Sequence, residues 1–132
     1  MLFRSTLNLT DNAPGSPQQI SLSGIVIDPV AQFDQTQLAF GTNAVGSSTT
    51  LPVQLTNTGL TPLIISNIAI TGANSGEFSQ VNNCPPQLAA TFGCTISVTF
   101  APTVKGARTG TLTVTDNVAA GKSTVALSGT GQ

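Results

Sequence analysis

Apolar and polar residues alternate along most of the chain with a period of two. The clearest alternating runs are 51–56, 96–100, 112–115 and 125–127. Such alternation, with many β-branched residues, is typical of half-buried strands that turn their apolar side to a core. The sequence shows no sustained i, i+3, i+4 apolar pattern, so helices are not expected. The pattern predicts an all-β protein.

Clusters of Gly, Asn, Asp, Ser and Pro separate the apolar runs and mark turns. The number of strands and the short connections between them indicate an immunoglobulin-like antiparallel β-sandwich. Seven strands are predicted in it, over 37–40, 50–57, 62–70, 77–80, 94–100, 108–115 and 123–128.

An internal repeat is the most specific feature of the sequence. Residues 6–24 align without a gap to residues 111–129, at an offset of 105 and with eight identities. The shared Thr-Asp-Asn and Leu-Ser-Gly tripeptides stand at matching positions in both copies. A repeat offset close to one domain length indicates an array of sandwich modules.

The repeat divides the chain into three predicted parts. Residues 1–27 form an N-terminal hairpin, with strands near 5–10 and 19–27, that resembles the last two strands of a preceding repeat. Residues 28–32 form a linker, and residues 33–132 form one complete sandwich module. Isolated two-stranded hairpins are only marginally stable in water, so we expect the hairpin to be docked on another surface, of its own chain or of another.

Charge is scarce, at 7% of residues, with four Lys and Arg against five Asp and Glu. Nucleic acids and anionic lipids both require clustered basic residues, so neither is an expected partner. No apolar stretch reaches the 18 residues of a membrane span, and membrane insertion is not expected. A surface with so little charge offers little repulsion against association with other copies.

Two cysteines, Cys84 and Cys94, lie ten positions apart in a polar, Pro-containing stretch. They are either two buried thiols or a disulfide that closes a small loop, and we favour the disulfide. A metal site lacks support, because the sequence has no His and no further Cys to complete a coordination shell. A disulfide would place the protein in an oxidising compartment.

Candidate catalytic chemistry is absent from the sequence. Without His, a nucleophilic Ser would need Lys105 or Lys122 as its base, and both fall in loops or at strand starts. Calcium needs six to eight oxygen ligands, which five scattered acids do not supply. The chain has no Trp or Tyr to form a carbohydrate platform, and we expect its Phe residues in the core. No catalytic residue, metal, cofactor or small-molecule ligand is therefore expected.

Two short motifs are predicted to be structural. Asn57-Thr58-Gly59 is expected to form a hairpin-type turn in which Gly59 adopts a positive φ. Asp116 and Asn117 follow a strand end, where their side chains are expected to bond nearby backbone N–H groups.

Several motifs in order resemble a known family. They are Leu38-Ala39-Phe40-Gly41, Asn57-Thr58-Gly59, the segment from Cys94 to Pro102, and the closing Leu127-Ser128-Gly129-Thr130-Gly131. Together they are similar to the hydin-like (ASH) repeats of bacterial proteins, also called choice-of-anchor D domains, over about residues 33–131. The resemblance implies a seven-stranded immunoglobulin-like fold related to the major sperm protein, strung in tandem on secreted or surface proteins, with the cysteine pair bridged. It supplies no catalytic residues.

These observations predict a non-catalytic structural module of an extracellular bacterial surface assembly. The favoured form is a filament subunit joined head-to-tail to other copies through its N-terminal hairpin. The alternative is a fragment of a tandem-repeat adhesin or stalk, in which adjacent repeats space or bind a partner. A monomeric binding domain whose hairpin folds back on its own sandwich is the third possibility.

Overall fold

A computed structural model describes the backbone of residues 2–25 and 27–132, and side chains from residue 4 onwards. Met1 and Val26, which the sequence assigns to the hairpin segment, lie outside the described residues. The described part contains eleven strands and one short 3₁₀ turn, Ser75–Glu77. The strands are β1 Leu2–Leu9, β2 Gln18–Ile25, β3 Ala31–Phe33, β4 Gln37–Asn43, β5 Thr49–Asn57, β6 Leu63–Thr71, β7 Phe78–Asn82, β8 Gln87–Leu88, β9 Gly93–Phe100, β10 Gly106–Asp116 and β11 Lys122–Gly131.

The strands form three sheets. Strands β1 and β2 pair only with each other. The sandwich consists of a five-stranded sheet in the order β4-β11-β10-β6-β8 and a four-stranded sheet in the order β3-β5-β9-β7. The architecture is the immunoglobulin-like sandwich that the alternation predicts.

Seven of the nine sandwich strands correspond to the seven predicted from sequence. The other two, β3 and β8, have three and two residues, too few for a period of two to be visible. Strand β3 begins at Ala31, inside the segment expected to be linker. The prediction of seven strands was therefore too low.

One strand pair departs from the expected antiparallel arrangement. Strand β4 runs parallel to β11, with Leu38 opposite Leu127. The chain crosses from one sheet to the other after Phe33, since β3 lies at the edge of the four-stranded sheet and β4 at the edge of the five-stranded sheet. Strand β4 continues in the direction of β3 after this crossing and therefore pairs with β11 in parallel.

The core lies between the two sheets and is aliphatic with an aromatic centre. In β9 every second residue from Cys94 to Phe100 is buried, as the alternation predicts. Phe100 contacts Phe40 and Phe78, with ring centroids 5.7 Å and 4.8 Å apart. The remaining buried aliphatic residues come from both sheets: Leu38, Val53, Leu55, Leu63, Leu88, Ile96, Val98, Leu112, Val114, Val125 and Leu127.

Candidate interaction surface at the N-terminal hairpin

The N-terminal hairpin has one apolar face. Its register places Leu7 opposite Ile20, Ser5 opposite Leu22 and Leu9 opposite Gln18. Because side chains alternate between faces along a strand, Leu7, Leu9, Ile20 and Leu22 share one side of the hairpin. These four side chains are named the hairpin face.

The hairpin face is exposed to solvent. Leu7, Leu9, Ile20 and Leu22 have exposed fractions of 52%, 53%, 53% and 48%. Every residue of β2 is exposed as well. The hairpin face is therefore not covered by the chain's own sandwich, in contrast to the possibility that the hairpin folds back on it. Clustered exposed apolar side chains of this kind mark an interaction surface.

The last two strands of the sandwich repeat the hairpin in register. Leu112 pairs with Val125 and Gly110 with Leu127. Adding the sequence offset of 105 to the hairpin pairs gives the same partners, since Leu7–Ile20 becomes Leu112–Val125. The four positions that correspond to the hairpin face are buried, with exposures of 0 to 2%: Leu112, Val114, Val125 and Leu127.

The turns of the two hairpins also share their hydrogen bonds. Asp11 Oδ1 accepts from the Ala13 N–H at 2.8 Å, and Asp116 Oδ1 accepts from the Val118 N–H at 3.1 Å. The Ser16 N–H donates to the Ala13 carbonyl, and the Gly121 N–H donates to the Val118 carbonyl. Both turns are therefore closed by an aspartate in the way expected of Asx side chains. The N-terminal hairpin is a structural copy of the hairpin that ends the sandwich.

The side chain of Asn117 bonds to a neighbouring part of the sandwich and not within its own turn. Its Oδ1 accepts from the N–H of Ile64 at 2.8 Å, and its Nδ2 donates to the carbonyl of Pro62 at 3.4 Å. Both partners lie on or beside the neighbouring strand β6. Asn117 therefore ties the end of β10 to β6, whereas Asp116 makes the local bond expected of an Asx side chain.

Asn57 is fully buried and joins the linker to the sandwich. Its Oδ1 accepts from the N–H groups of Val30 at 3.2 Å and Gly59 at 3.0 Å. Its Nδ2 donates to the carbonyls of Thr61 at 2.8 Å and Leu88 at 3.0 Å. One amide side chain thus fixes the segment before β3, the loop 58–62 and strand β8 at the same end of the sandwich.

The prediction that Gly59 lies in a hairpin turn with a positive φ was wrong. Strands β5 and β6 lie in different sheets, so 58–62 is not a hairpin turn. Gly59 does not have a positive φ; a Cβ there would lie 2.3 Å from the Asp28 carbonyl oxygen and 2.6 Å from the Val30 nitrogen. Glycine is required because the linker backbone passes directly over this position.

Cys84 and Cys94 are joined in a disulfide that ties the segment after β7 to β9. Cys94 lies in the core, and Cys84 is partly buried against it. The bridge is distant in sequence from the N-terminal hairpin. Its role is to hold the loop between these two strands.

One ion pair bridges the loops at the end opposite the linker. Glu77 Oε1 accepts from the hydroxyl and the N–H of Thr103, and Glu77 Oε2 lies 3.2 Å from Arg108 Nε. The Thr103 hydroxyl is the main cause that holds the pKa of Glu77 below its usual 4.5, and the nearby guanidinium lowers that pKa further. The carboxylate is therefore a structural brace.

Several residues of the surface were not singled out from sequence. The hairpin face could have been found from the repeat, because its four residues align with apolar positions of the second copy. Phe92 was expected in the core but is 64% exposed, and Leu60 is 71% exposed. Both follow turns, where alternation gives no indication of burial.

The described residues offer no enclosed chemical site. Among them, no group of three or more His, Cys, Asp or Glu side chains is placed to hold a metal ion. The hollows are shallow, such as one of about 380 Å³ on the hairpin beside Arg4 and Leu22. In the described part of the chain no helix is long and apolar enough to cross a membrane.

The fold and the exposed hairpin face define an immunoglobulin-like module that interacts with proteins. The family model described as ASH: Abnormal spindle-like microcephaly-assoc'd, ASPM-SPD-2-Hydin, matches residues 25–124. The chain therefore belongs to the ASH family, as its motifs suggested. ASH and PapD-like domains are protein-interaction modules and are themselves non-enzymatic. No curated protein matches the sequence.

Solved structures share the fold at low sequence identity. The secreted serine protease VesC and the VesB protease of Vibrio cholerae match with TM-scores of 0.62 and 0.61 and identities of 18% and 17%. Each match covers 76% of this chain, which spans only 23% and 31% of the two proteases. The ASH / PapD-like domain 7 of human CEP192 matches with a TM-score of 0.59 and 16% identity, over 83% of this chain and 94% of that domain.

A fourth structure matches the hairpin as well as the sandwich. A protein of unknown function from Porphyromonas gingivalis W83 has a TM-score of 0.67 and 12% identity. The match covers 97% of this chain and 66% of the other chain. So complete a match must include most of the N-terminal hairpin. The fold similarity is thus not confined to the sandwich.

Proposed function

We propose that this chain is a non-catalytic structural repeat of an extracellular bacterial surface protein. In this proposal its N-terminal hairpin supplies the last two strands of a neighbouring ASH-type sandwich. The observation that carries the proposal is the match between two hairpins: register and turn are the same, but the apolar side chains are buried in one and half exposed in the other.

The match also specifies what should cover the hairpin face. In the sandwich, Leu112, Val114, Val125 and Leu127 pack in a core shared with Val53, Leu55, Ile96, Val98 and Phe100 of the opposite sheet. A half-exposed aliphatic side chain gains about 1 kcal/mol when it is buried completely, so the hairpin face would gain several kcal/mol from such a sheet. The partner is therefore a sandwich of the same family that lacks its last two strands and so leaves the inner face of its four-stranded sheet uncovered there.

A second copy of this chain offers no such open sheet. Strands β10 and β11 already occupy that position in the sandwich, and their central inward side chains, Leu112, Val114, Val125 and Leu127, are buried. A head-to-tail filament formed by hairpin donation would require the donated hairpin to displace β10 and β11. Contact between two hairpin faces would bury much less than the ~1,200 Å² of a stable interface. These considerations favour the tandem-repeat alternative over the filament.

The extracellular assignment rests on chemistry and on neighbours. A structural disulfide persists in oxidising compartments and is rare in the cytosol. Cys84 and Cys94 form such a disulfide, and VesC of Vibrio cholerae, a fold neighbour, is a secreted protein. The neighbouring proteases match through a minor part of their length, so their catalysis does not extend to this chain.

An extended protein tests the proposal directly. A copy of residues 28–105 is placed immediately before Met1, because the repeat offset makes Met1 the counterpart of Gly106. The hairpin then has an open sandwich to complete. In the extended protein the amides of 18–25 should exchange as slowly as those of β11. In the 132-residue chain they should exchange much faster, as amides of an unsupported hairpin.

Gly24→Ala provides a second test, because its counterpart Gly129 lies against Phe100. The substitution should leave the 132-residue chain unchanged and destabilise the extended protein. Rapid exchange of 18–25 in the extended protein, with no effect of Gly24→Ala, would overturn the proposal. Concentration-dependent assembly of the 132-residue chain that Leu7→Lys with Leu22→Lys abolishes would also overturn it, in favour of the filament.

A further inference from the structure

We propose that one end of the sandwich is an interface for the loops at the facing end of the preceding ASH-type module. We also propose that the two modules are joined without a linker, because each residue at the junction is hydrogen-bonded to one module or the other. This inference rests on the proposed function, because it concerns the module that the hairpin completes. The interface is the N-terminal pole of the sandwich, defined as the loops 28–30, 58–62, 89–92 and 117–121. The opposite end, with the loops 44–48 and 101–105, is the C-terminal pole.

At the C-terminal pole, backbone hydrogen bonds fix the chain as far as Gln132. The Gln132 N–H donates to the Asn43 carbonyl at 2.8 Å, and the Gln132 carbonyl accepts from the Val45 N–H at 3.1 Å. By the repeat offset, Ile27 is the counterpart of Gln132. In a completed preceding module, Ile27 would therefore be bonded to the loop that corresponds to 44–48.

At the N-terminal pole, backbone hydrogen bonds fix the chain from Asp28 onwards. The Asp28 carbonyl accepts from the Leu60 N–H at 3.4 Å, and the Val30 carbonyl accepts from the Thr58 N–H at 2.9 Å. Asn57 Oδ1 accepts from the Val30 N–H, and Gly59 leaves no space between the loop and the linker. Residue 28 thus belongs to this module just as residue 27 belongs to the preceding one.

Two adjacent residues that are fixed to different modules bring the ends of those modules into contact. The N-terminal pole is apolar where this contact falls: Val30, Leu60 and Phe92 are 47%, 71% and 64% exposed. A hollow of about 380 Å³ lies beside them, lined mainly by Pro29, Val30 and the small side chains of Ala119 and Ala120. The surface suits a loop with aliphatic side chains.

The C-terminal pole of an ASH-type module has such loops. In this chain it presents Val45 and Val104, with exposed fractions of 41% and 57%, next to the residue that leaves β11. The occupant that we assign to the N-terminal pole is therefore the C-terminal pole of the preceding module. The contact would make the pair of modules a stiff rod and not two independently moving units.

The extended protein described above tests the joint by ¹⁵N relaxation. Amides of 1–27 report on the first module and amides of 106–132 on the second, because these sequences occur once each. A stiff joint gives both sets the same rotational correlation time. Inserting Gly-Ser-Gly-Ser between Ile27 and Asp28 should shorten that time about twofold, because each module would then tumble as a smaller body.

Point variants test the interface itself. Leu60→Ser with Phe92→Ser should leave the urea midpoint of the 132-residue chain unchanged, since both side chains are exposed. In the extended protein, Leu60→Ser with Phe92→Ser in the second copy of residues 28–105 should shorten the correlation time towards that of the Gly-Ser variant. Val81→Ser, at a 76% exposed position on β7 away from the pole, is the matched control and should have no effect.

The outcomes separate this inference from the function it rests on. Protected 18–25 amides together with two independently tumbling modules would overturn the joint and leave the proposed function standing. Protected amides and a shared correlation time that is insensitive to Leu60→Ser with Phe92→Ser would overturn the interface. Unprotected 18–25 amides would overturn the proposed function, and the joint with it.

Discussion

Gly129 lies directly against the ring of Phe100, and a Cβ at position 129 would stand 2.4 Å from the ring's Cε1 atom. Strand β11 can approach the centre of the core only because this residue has no side chain. Its counterpart in the N-terminal hairpin, Gly24, has nothing within 4 Å of a built Cβ. The same glycine, at the same point of the same hairpin, is thus constrained in one copy and free in the other.

Gly129→Ala should therefore destabilise the protein by about 1–3 kcal/mol, because the ring of a fully buried Phe100 cannot move away without disturbing its neighbours. Gly24→Ala should change the free energy of unfolding of the 132-residue chain by less than about 0.5 kcal/mol. Urea denaturation followed by circular dichroism measures both. Equal effects of the two substitutions would refute this account of the core.

Asn57→Ala should lower the free energy of unfolding by about 3 kcal/mol, because the buried N–H groups and carbonyls that Asn57 joins would lose their partner. Amide exchange at Val30 should rise at the same time, since its N–H donates to Asn57 Oδ1. Asn12→Ala, at an exposed position of the hairpin, is the control and should have almost no effect. A stable Asn57→Ala protein with a protected Val30 amide would contradict the assigned role.

Removal of the disulfide should cost about 3 kcal/mol, the loop-closure contribution expected for a sequence separation of ten residues. The Cys84→Ala, Cys94→Ala double variant and the reduced wild-type protein should lose similar amounts, as measured by urea unfolding. Mass spectrometry after alkylation without reductant should detect no modified thiol. Two alkylated thiols in the untreated protein would exclude the bridge.

The stability of the protein should depend on pH through Glu77. Its pKa is lowered in the folded protein, so its contribution is fully present above the unfolded value of 4.5 and is lost as the pH falls through the lowered folded value. Glu77→Gln removes the charge and keeps an acceptor for Thr103. The variant should be less stable than the wild type at pH 7, and the difference should shrink below pH 4.5.

Urea unfolding of both proteins between pH 2.5 and 7 measures this difference. The other carboxylates are common to the two proteins, so their titration cancels in the comparison to first order. A difference that stays constant across that range would show that the pKa of Glu77 is the same in the folded and unfolded chains. Our account of the brace between 75–77 and 101–108 would then be wrong.

The repeating pattern of the sequence predicted most of the fold, because long strands with one buried face require alternation. In β9 the residues from Cys94 to Phe100 show it over the whole strand, and the buried positions are the alternating ones. Strands β3 and β8 were missed because two or three residues cannot display a period. The exposure of Phe92 was missed because a loop side chain has no periodic neighbours to indicate its direction.

The sequence by itself determined the family, the sandwich and the internal repeat, since each depends on local order and spacing. Only the tertiary structure decided what Asn57 and Gly59 do, because their partners come from segments distant along the chain. It also decided that Leu7, Leu9, Ile20 and Leu22 are uncovered while their four counterparts are buried. Burial depends on whether a second sheet covers the strands, and the local sequence of a hairpin cannot specify that.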